Sequence, residues 1–129
     1  MTRTPFRLAA FGVSLIALGA LAGCGDDAGG GASGPPLVVG AEDIRFDADE
    51  YRVAAGDLTI ELVQEGVLPH SLVIEDPDGK DLDFRLFVNT AEVEDVGTIA
   101  LDDGTYVFFC DVPGHRASGM ESVVVVSDG

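Results

Sequence analysis

The sequence is poor in basic residues and in Cys, His and Met. Its 129 residues include seven Lys and Arg, 23 Asp and Glu, two Cys, two His, two Met and no Trp, and the formal net charge is −16. Nucleic acid and anionic membrane surfaces are poor partners for such an acidic chain. The apolar segment at residues 8–20 is shorter than the roughly 20 residues that a membrane-spanning helix needs. These features argue against nucleic-acid binding and against a spanning helix at this segment.

Residues 1–23 are typical of an export signal that is removed from the mature protein. Arg3 and Arg7 supply the positive charge, residues 8–20 the apolar segment, and residues 21–23 the cleavage region. The sequence Leu-Ala-Gly-Cys ending at Cys24 resembles the lipobox of bacterial lipoproteins, in which this cysteine receives a diacylglycerol and becomes the N-terminus. We therefore predict lipidation of Cys24. The alternative is an ordinary signal peptide with an unrelated cysteine.

Residues 24–36 are predicted to be the lipidated cysteine and a flexible tether, because residues 25–36 are nearly all Gly, Ala, Ser, Asp and Pro. Residues 37–129 then form one small domain. Once the leader is removed, five basic residues remain against 23 acidic ones, and the formal net charge is −18. The acidic runs fit either a solvated coat or a docking patch for a basic partner.

The clearest chemical signal comes from a few soft side chains near the C-terminus. Cys110, His115 and Met120 have a C-x4-H-x4-M spacing in one loop between two strand-like runs. The other histidine, His70, follows a Leu-Pro turn at the start of a further strand-like run. A thiolate, two imidazoles and a thioether together make a complete set of four metal ligands.

This ligand set favours copper. Thiolate and thioether suit Cu(I), imidazole also suits Cu(II), and a His2Cys site with a weak axial Met is the arrangement of blue copper sites. Zinc is the main rival, but Met is not among its usual ligands. A dinuclear copper site would need a second cysteine in the loop, and residues 111–119 contain none. The sequence therefore predicts one copper ion, of type 1.

From residue 37 to 127 the sequence resembles the cupredoxins, the type 1 blue copper proteins that include azurin and plastocyanin. The resemblance rests on the run Thr105–Cys110, the Pro-Gly-His turn, and Gly-Met followed by a valine run, with an azurin-like loop length. It implies three equatorial copper ligands and one axial ligand. The equatorial ligands would be His70, Cys110 and His115, and the axial ligand would be Met120.

One residue departs from the family pattern. Many cupredoxins have Asn directly after the first ligand His, where it helps to tie the two ligand loops together, whereas this chain has Ser71. A hydroxyl can donate one hydrogen bond and cannot supply the pair that an amide offers. The departure concerns the tuning of the copper site and not its existence.

Short strand-like runs separated by turn signals, without a helical period, predict an all-β, Greek-key β-sandwich of the cupredoxin type. The predicted strands are Leu37–Val39, Tyr51–Val53, Asp57–Leu62, Ser71–Glu75, Phe84–Val88, Thr98–Leu101, Thr105–Cys110 and Ser122–Val126. Tyr106, Phe108 and Cys110 share one face of their strand, and we expect the two aromatic residues in the core. Residues 81–96 have the weakest pattern, and a short helix is an alternative there.

The ligand set and the resemblance together indicate an electron-transfer protein, and not an enzyme, that cycles one copper between Cu(II) and Cu(I). Four protein ligands leave no open position for a substrate. We expect a monomer, lipid-anchored at the extracytoplasmic face of a bacterial membrane, that serves redox proteins such as cytochromes or a terminal oxidase or reductase. By resemblance, His115 would be the electron port, framed by apolar residues: Val67, Leu68, Pro69, Val112 and Pro113.

Three other functions compete with this interpretation. Copper storage or delivery is the main alternative, although copper chaperones usually present Met- or His-rich sites and this chain has only Met1 and Met120. A metal-free binding module is a further possibility, and the presence of all four ligands argues against it. A copper enzyme is the weakest, because no histidine is left for a second copper.

Overall fold

Residues 34–128 are described by a computed structural model, in which two β-sheets share one core. The strands, numbered in chain order, are β1 (Leu37–Glu42), β2 (Arg45–Phe46), β3 (Glu50–Val53), β4 (Gly56–Gln64), β5 (His70–Glu75), β6 (Asp81–Val88), β7 (Glu94–Leu101), β8 (Gly104–Phe109) and β9 (Glu121–Val126). The one helical element in this part of the chain is a 3-10 turn, Arg116–Ser118. The prediction of an all-β fold is confirmed.

The two sheets are mixed, and their strand orders contain the crossovers of a Greek-key sandwich. The first sheet has the order β2-β1-β4-β7 and the second has the order β3-β9-β8-β5-β6. The pairs β1–β4 and β3–β9 are parallel, and the other paired strands are antiparallel. Because β5 and β8 are antiparallel neighbours, the start of β5 and the end of β8 lie at the same end of the second sheet. Residues that are distant in sequence are thereby brought close together.

Alternating side chains build the core from both sheets. In β4, Leu58, Ile60 and Leu62 are buried and their neighbours point away from the core. Phe108 of β8 is fully buried, and its ring lies 5.8 Å from that of Tyr51, centroid to centroid. Tyr106 is also buried, so the prediction that the aromatic residues of β8 belong to the core is confirmed.

The alternative of a short helix within residues 81–96 is wrong, because this segment contains β6 and the start of β7. In β6, Leu82, Phe84 and Leu86 point inward at a period of two, which suits a strand and not a helix. Gly97 lets β7 approach β6 closely, since a Cβ atom there would lie 2.9 Å from the Phe84 ring and 3.1 Å from Leu86. The close approach of these two edge strands, one from each sheet, closes one edge of the sandwich.

The strand β2 was not predicted. It pairs with β1 through a tight turn in which Asp43 and Ile44 have φ angles of 45° and 66°. Positive φ is uncommon for a β-branched residue such as Ile44, and Asp followed by Ile is not one of the residue pairs that mark a tight hairpin turn in a sequence.

The predicted export signal (residues 1–23), Cys24 and most of the tether (residues 24–36) lie outside the described residues. The domain boundaries and the lipidation of Cys24 therefore stay predictions. Between residues 34 and 128, the structure has no helix of the length and apolar character needed to cross a membrane.

Candidate metal centre

Three of the four predicted ligands converge at one end of the sandwich. His70 begins β5, Cys110 directly follows β8, and His115 lies in the loop between β8 and β9. One ligand atom from each lies within 4.8 Å of the others. The rings of His70 and His115 have centroids 5.2 Å apart, and Cys110 Sγ is 3.4 Å from His115 Nδ1. The pairing of β5 with β8 brings His70 and Cys110 together.

Met120 lies immediately before β9 and is fully buried. Its backbone N–H donates to the carbonyl of His115 (3.1 Å), and its own carbonyl accepts from the Cys110 N–H (3.1 Å). Gly114 and Gly119, with φ of 83° and 100°, allow the left-handed turns that this short loop requires. The loop from Cys110 to Met120, hereafter the ligand loop, is thus closed on itself by backbone hydrogen bonds.

Burial differs among the four predicted ligands. His70, Cys110 and Met120 have no exposed surface, whereas His115 is partly exposed. Val67, Leu68, Pro69 and Pro113, four of the residues predicted to frame the electron port, are exposed, and Val112 is partly buried. Among the four predicted ligands, the solvent reaches only His115.

The donor atoms fit a copper ion. Both ring nitrogens of His70 are buried and have no hydrogen-bond partner among the described residues, which is costly unless another group binds them. Burial, and then the nearby His115, lowers the pKa of His70, so the ring is held in the neutral form that binds metals. Cys110 is buried and forms no disulfide in the described part of the chain. Two imidazoles, a thiol and a nearby thioether make a donor set typical of type 1 copper.

Ser71 ties together the two segments that carry the predicted ligands, as the family's Asn would. Its N–H is 3.4 Å and its hydroxyl 3.6 Å from Cys110 Sγ. The same hydroxyl accepts a hydrogen bond from the Asp111 N–H (2.9 Å) and lies 2.5 Å from Asp111 Oδ1. The hydroxyl therefore acts as both acceptor and donor, which compensates in part for the missing amide.

Two arginines hold the ligand loop, and neither is predicted from the sequence. Arg85 of β6 binds both carboxylate oxygens of Asp111, with two N–O distances of 2.9 Å, and holds the pKa of Asp111 below its usual range. Arg116 binds Glu75 (3.0 Å) and Glu121 (3.1 Å). Basic residues are few in this acidic chain, and this rarity is the only signal of the two arginines in the sequence. Their partners cannot be identified from the sequence, because the contacts depend on the folded loop.

Comparisons with known proteins agree with this geometry. Residues 36–127 match the family of copper binding proteins described as the plastocyanin/azurin family. A comparison with curated proteins gives no match.

Solved structures of related fold include dithionite-reduced auracyanin from Roseiflexus castenholzii, with 19% identity, a TM-score of 0.63, and coverage of 74% of this chain and 99% of that chain. Auracyanin B has 17% identity and a TM-score of 0.64, over 74% of this chain and 93% of that chain. An azurin from Methylomonas sp. strain J has 15% identity and a TM-score of 0.59, over 71% and 97%. These likenesses show the fold, and the family match covers most of the chain. The chain therefore belongs to the plastocyanin/azurin family of copper-binding proteins, the cupredoxins, and its cofactor is one copper ion.

Proposed function

We propose that this protein is a one-electron carrier with a type 1 copper site. The observation that carries the proposal is the convergence of donor atoms from His70, Cys110 and His115 within 4.8 Å, beside the buried Met120. When bound, copper supplies one-electron exchange between Cu(II) and Cu(I). The proposed roles are equatorial ligation by His70, Cys110 and His115 and weak axial ligation by Met120.

The surroundings of the donor atoms suit a carrier because they limit movement. His70 and Cys110 are placed by paired strands, and the ligand loop is closed by backbone hydrogen bonds. A geometry held between the preferences of the two oxidation states would need little rearrangement when an electron arrives or leaves. Buried donor atoms also keep water away, which tunes the potential.

His115 is the proposed port for electrons, because it is the one partly exposed member of the proposed ligand set. Exposed Val67 and Leu68 lie in the segment that leads to His70. An apolar surface of this kind favours brief contact with a redox partner protein. Four protein ligands would leave no open position for a substrate, which supports a carrier and not an enzyme.

The N-terminal residues bear on where the protein works in the cell. Export and lipidation at Cys24 would anchor the domain at the extracytoplasmic face of a bacterial membrane, and the tether would allow it to turn. This part is supported by the pattern of residues 1–36 alone. The predicted mature charge of −18 favours cationic redox partners, whose approach would be steered electrostatically.

A copper titration of the purified protein, followed by kinetics, tests the function. One equivalent of Cu(II) should produce an intense visible band from thiolate charge transfer, and Cys110→Ser should abolish it. A weak band in the wild type, or an unchanged band in the variant, would contradict a type 1 site.

Kinetics separate a carrier from a copper store or delivery protein. A carrier should exchange electrons quickly with a cationic redox protein, keep its copper through many cycles, and slow down as salt rises, since charges are screened over about 8 Å at physiological ionic strength. Slow exchange with every partner tried, together with rapid loss of Cu(I) to a chelator, would favour copper handling instead.

A further inference from the structure

A chain of hydrogen bonds leads from Cys110 to the protein surface. Ser71 is fully buried beside Cys110 Sγ, Asp111 contacts the Ser71 hydroxyl, and Arg85 binds Asp111. The Arg85 and Asp111 side chains are 48% and 39% exposed, so the outer end of the chain is in contact with solvent. We therefore expect substitutions at these two residues to leave the core intact.

The Ser71 hydroxyl has two possible acceptors for a single proton. Its oxygen already accepts the Asp111 N–H at 2.9 Å. Its proton can point to Asp111 Oδ1, 2.5 Å away, or to Cys110 Sγ, 3.6 Å away. Whatever weakens Asp111 Oδ1 as an acceptor therefore strengthens the hydrogen bond to the thiolate.

Arg85 acts on that same oxygen. Its Nη2 donates to Asp111 Oδ1, and its Nε donates to Oδ2, each at 2.9 Å. In a bidentate, charge-assisted pair of this kind, the guanidinium occupies lone pairs of the carboxylate and partly neutralises its charge. Asp111 Oδ1 is therefore a weaker acceptor for the Ser71 hydroxyl. The guanidinium is also stacked over Phe87, 5.2 Å from the ring centroid, which restricts its orientation.

We propose that Arg85 and Asp111 are positioning residues that set the reduction potential of the copper site by controlling the hydrogen bond from Ser71 to Cys110 Sγ. The inference rests on the proposed function. Hydrogen bonds to the cysteine sulfur are one of the means by which a protein tunes a blue copper potential. A stronger hydrogen bond reduces electron donation from the thiolate and so favours Cu(I).

The test compares two arginine variants of the copper-loaded protein. Arg85→Gln should lower the reduction potential and move the thiolate charge-transfer band to lower energy. Arg52→Gln is the matched control, because it removes the same charge from an exposed ion pair with Glu50 and lies on β3, opposite Val125 near the end of β9. Equal shifts in the two variants would overturn the proposal.

Two further backgrounds separate a hydrogen-bonded chain from a simple charge effect. If Arg85 acts through Asp111 and Ser71, the shift caused by Arg85→Gln should shrink strongly in Asp111→Asn and in Ser71→Ala proteins, since residues of one network are not additive. An undiminished shift in the Asp111→Asn background would overturn the proposal. The result in the Asp111→Asn protein tests the proposal even if Ser71→Ala, at a fully buried position, does not fold.

The wild-type spectrum distinguishes this inference from the function on which it rests. If Cu(II) gives no intense band in the wild type, the proposed function fails and the positioning role fails with it. If the band is present and the Arg85→Gln shift is unchanged in the Asp111→Asn background, the positioning role alone is overturned.

Discussion

His70 and His115 face each other across the candidate copper site, with ring centroids 5.2 Å apart and an interplanar angle of 52°. Burial and then the neighbouring ring both lower the pKa of His70, whose ordinary value is 6.5. In the copper-free protein, the folded state therefore resists protonation of a ring that the unfolded chain protonates freely. This difference links stability to pH.

The copper-free protein should lose stability on acidification. Because the folded pKa of His70 is depressed, its contribution is fully present above about pH 6.5 and is lost as the pH falls toward and through the folded value. Urea unfolding between pH 8 and 5 measures the slope. His70→Gln should flatten it, and an equal slope in both proteins would mean that His70 is not the group responsible.

Arg116 should contribute to the stability of the ligand loop. Its guanidinium bonds to Glu75 and Glu121 and lies 4.0 Å from the centroid of the Phe109 ring. Ion pairs and cation–π contacts at partly exposed sites contribute fractions of a kcal/mol each, so we expect Arg116→Met to cost about 1–2 kcal/mol.

Urea unfolding of the copper-free protein measures this cost. Arg45→Met is the matched control, because Arg45 is 71% exposed and its ion pair with Glu42 is long, at 3.8 Å. We expect the control to stay within about 0.5 kcal/mol of the wild type. Equal losses in the two variants would argue against a special role for Arg116.

The sequence predicts the sandwich well because its signals are local. In β4, Leu58, Ile60 and Leu62 alternate with residues that point away from the core, and this pattern can be recognised without knowledge of distant contacts. The turn residues between strands are local signals of the same kind. β6 was predicted only in part, as Phe84–Val88, although Leu82 and Phe84 already alternate with charged residues. β2 was missed because Ile44 stands at the second position of the turn, where Gly usually follows Asp or Asn.

The predicted ligands are recognisable because a few residue types carry the chemistry at a short spacing. Their surroundings are not recognisable in this way. Ser71, Arg85 and Asp111 meet only because β6 pairs with β5 and the loop after β8 folds beside them. No short motif encodes such a contact, so the tuning of the site could not be predicted from the sequence.

Met120 should control the potential from the axial position. Met120→Leu should keep copper bound and raise the reduction potential, because the loss of a weak donor favours Cu(I) and an apolar side chain keeps the buried site dry. Met120→Gln introduces a stronger oxygen donor and should lower the potential. Voltammetry of the three proteins decides, and an order other than Leu above Met above Gln would mean that Met120 is not the axial ligand.

Lipidation of Cys24 can be tested independently of copper. Metabolic labelling with a fatty acid should mark the wild-type protein, and Cys24→Ala should abolish both the label and the processing of the precursor, because the thiol is the atom to which the diacylglycerol would be attached. Cys110→Ser is the matched control, since it removes the other cysteine and should leave the label unchanged. Equal labelling of the wild type and Cys24→Ala would contradict the predicted anchor, and would leave the copper site as the sole basis for assigning the function.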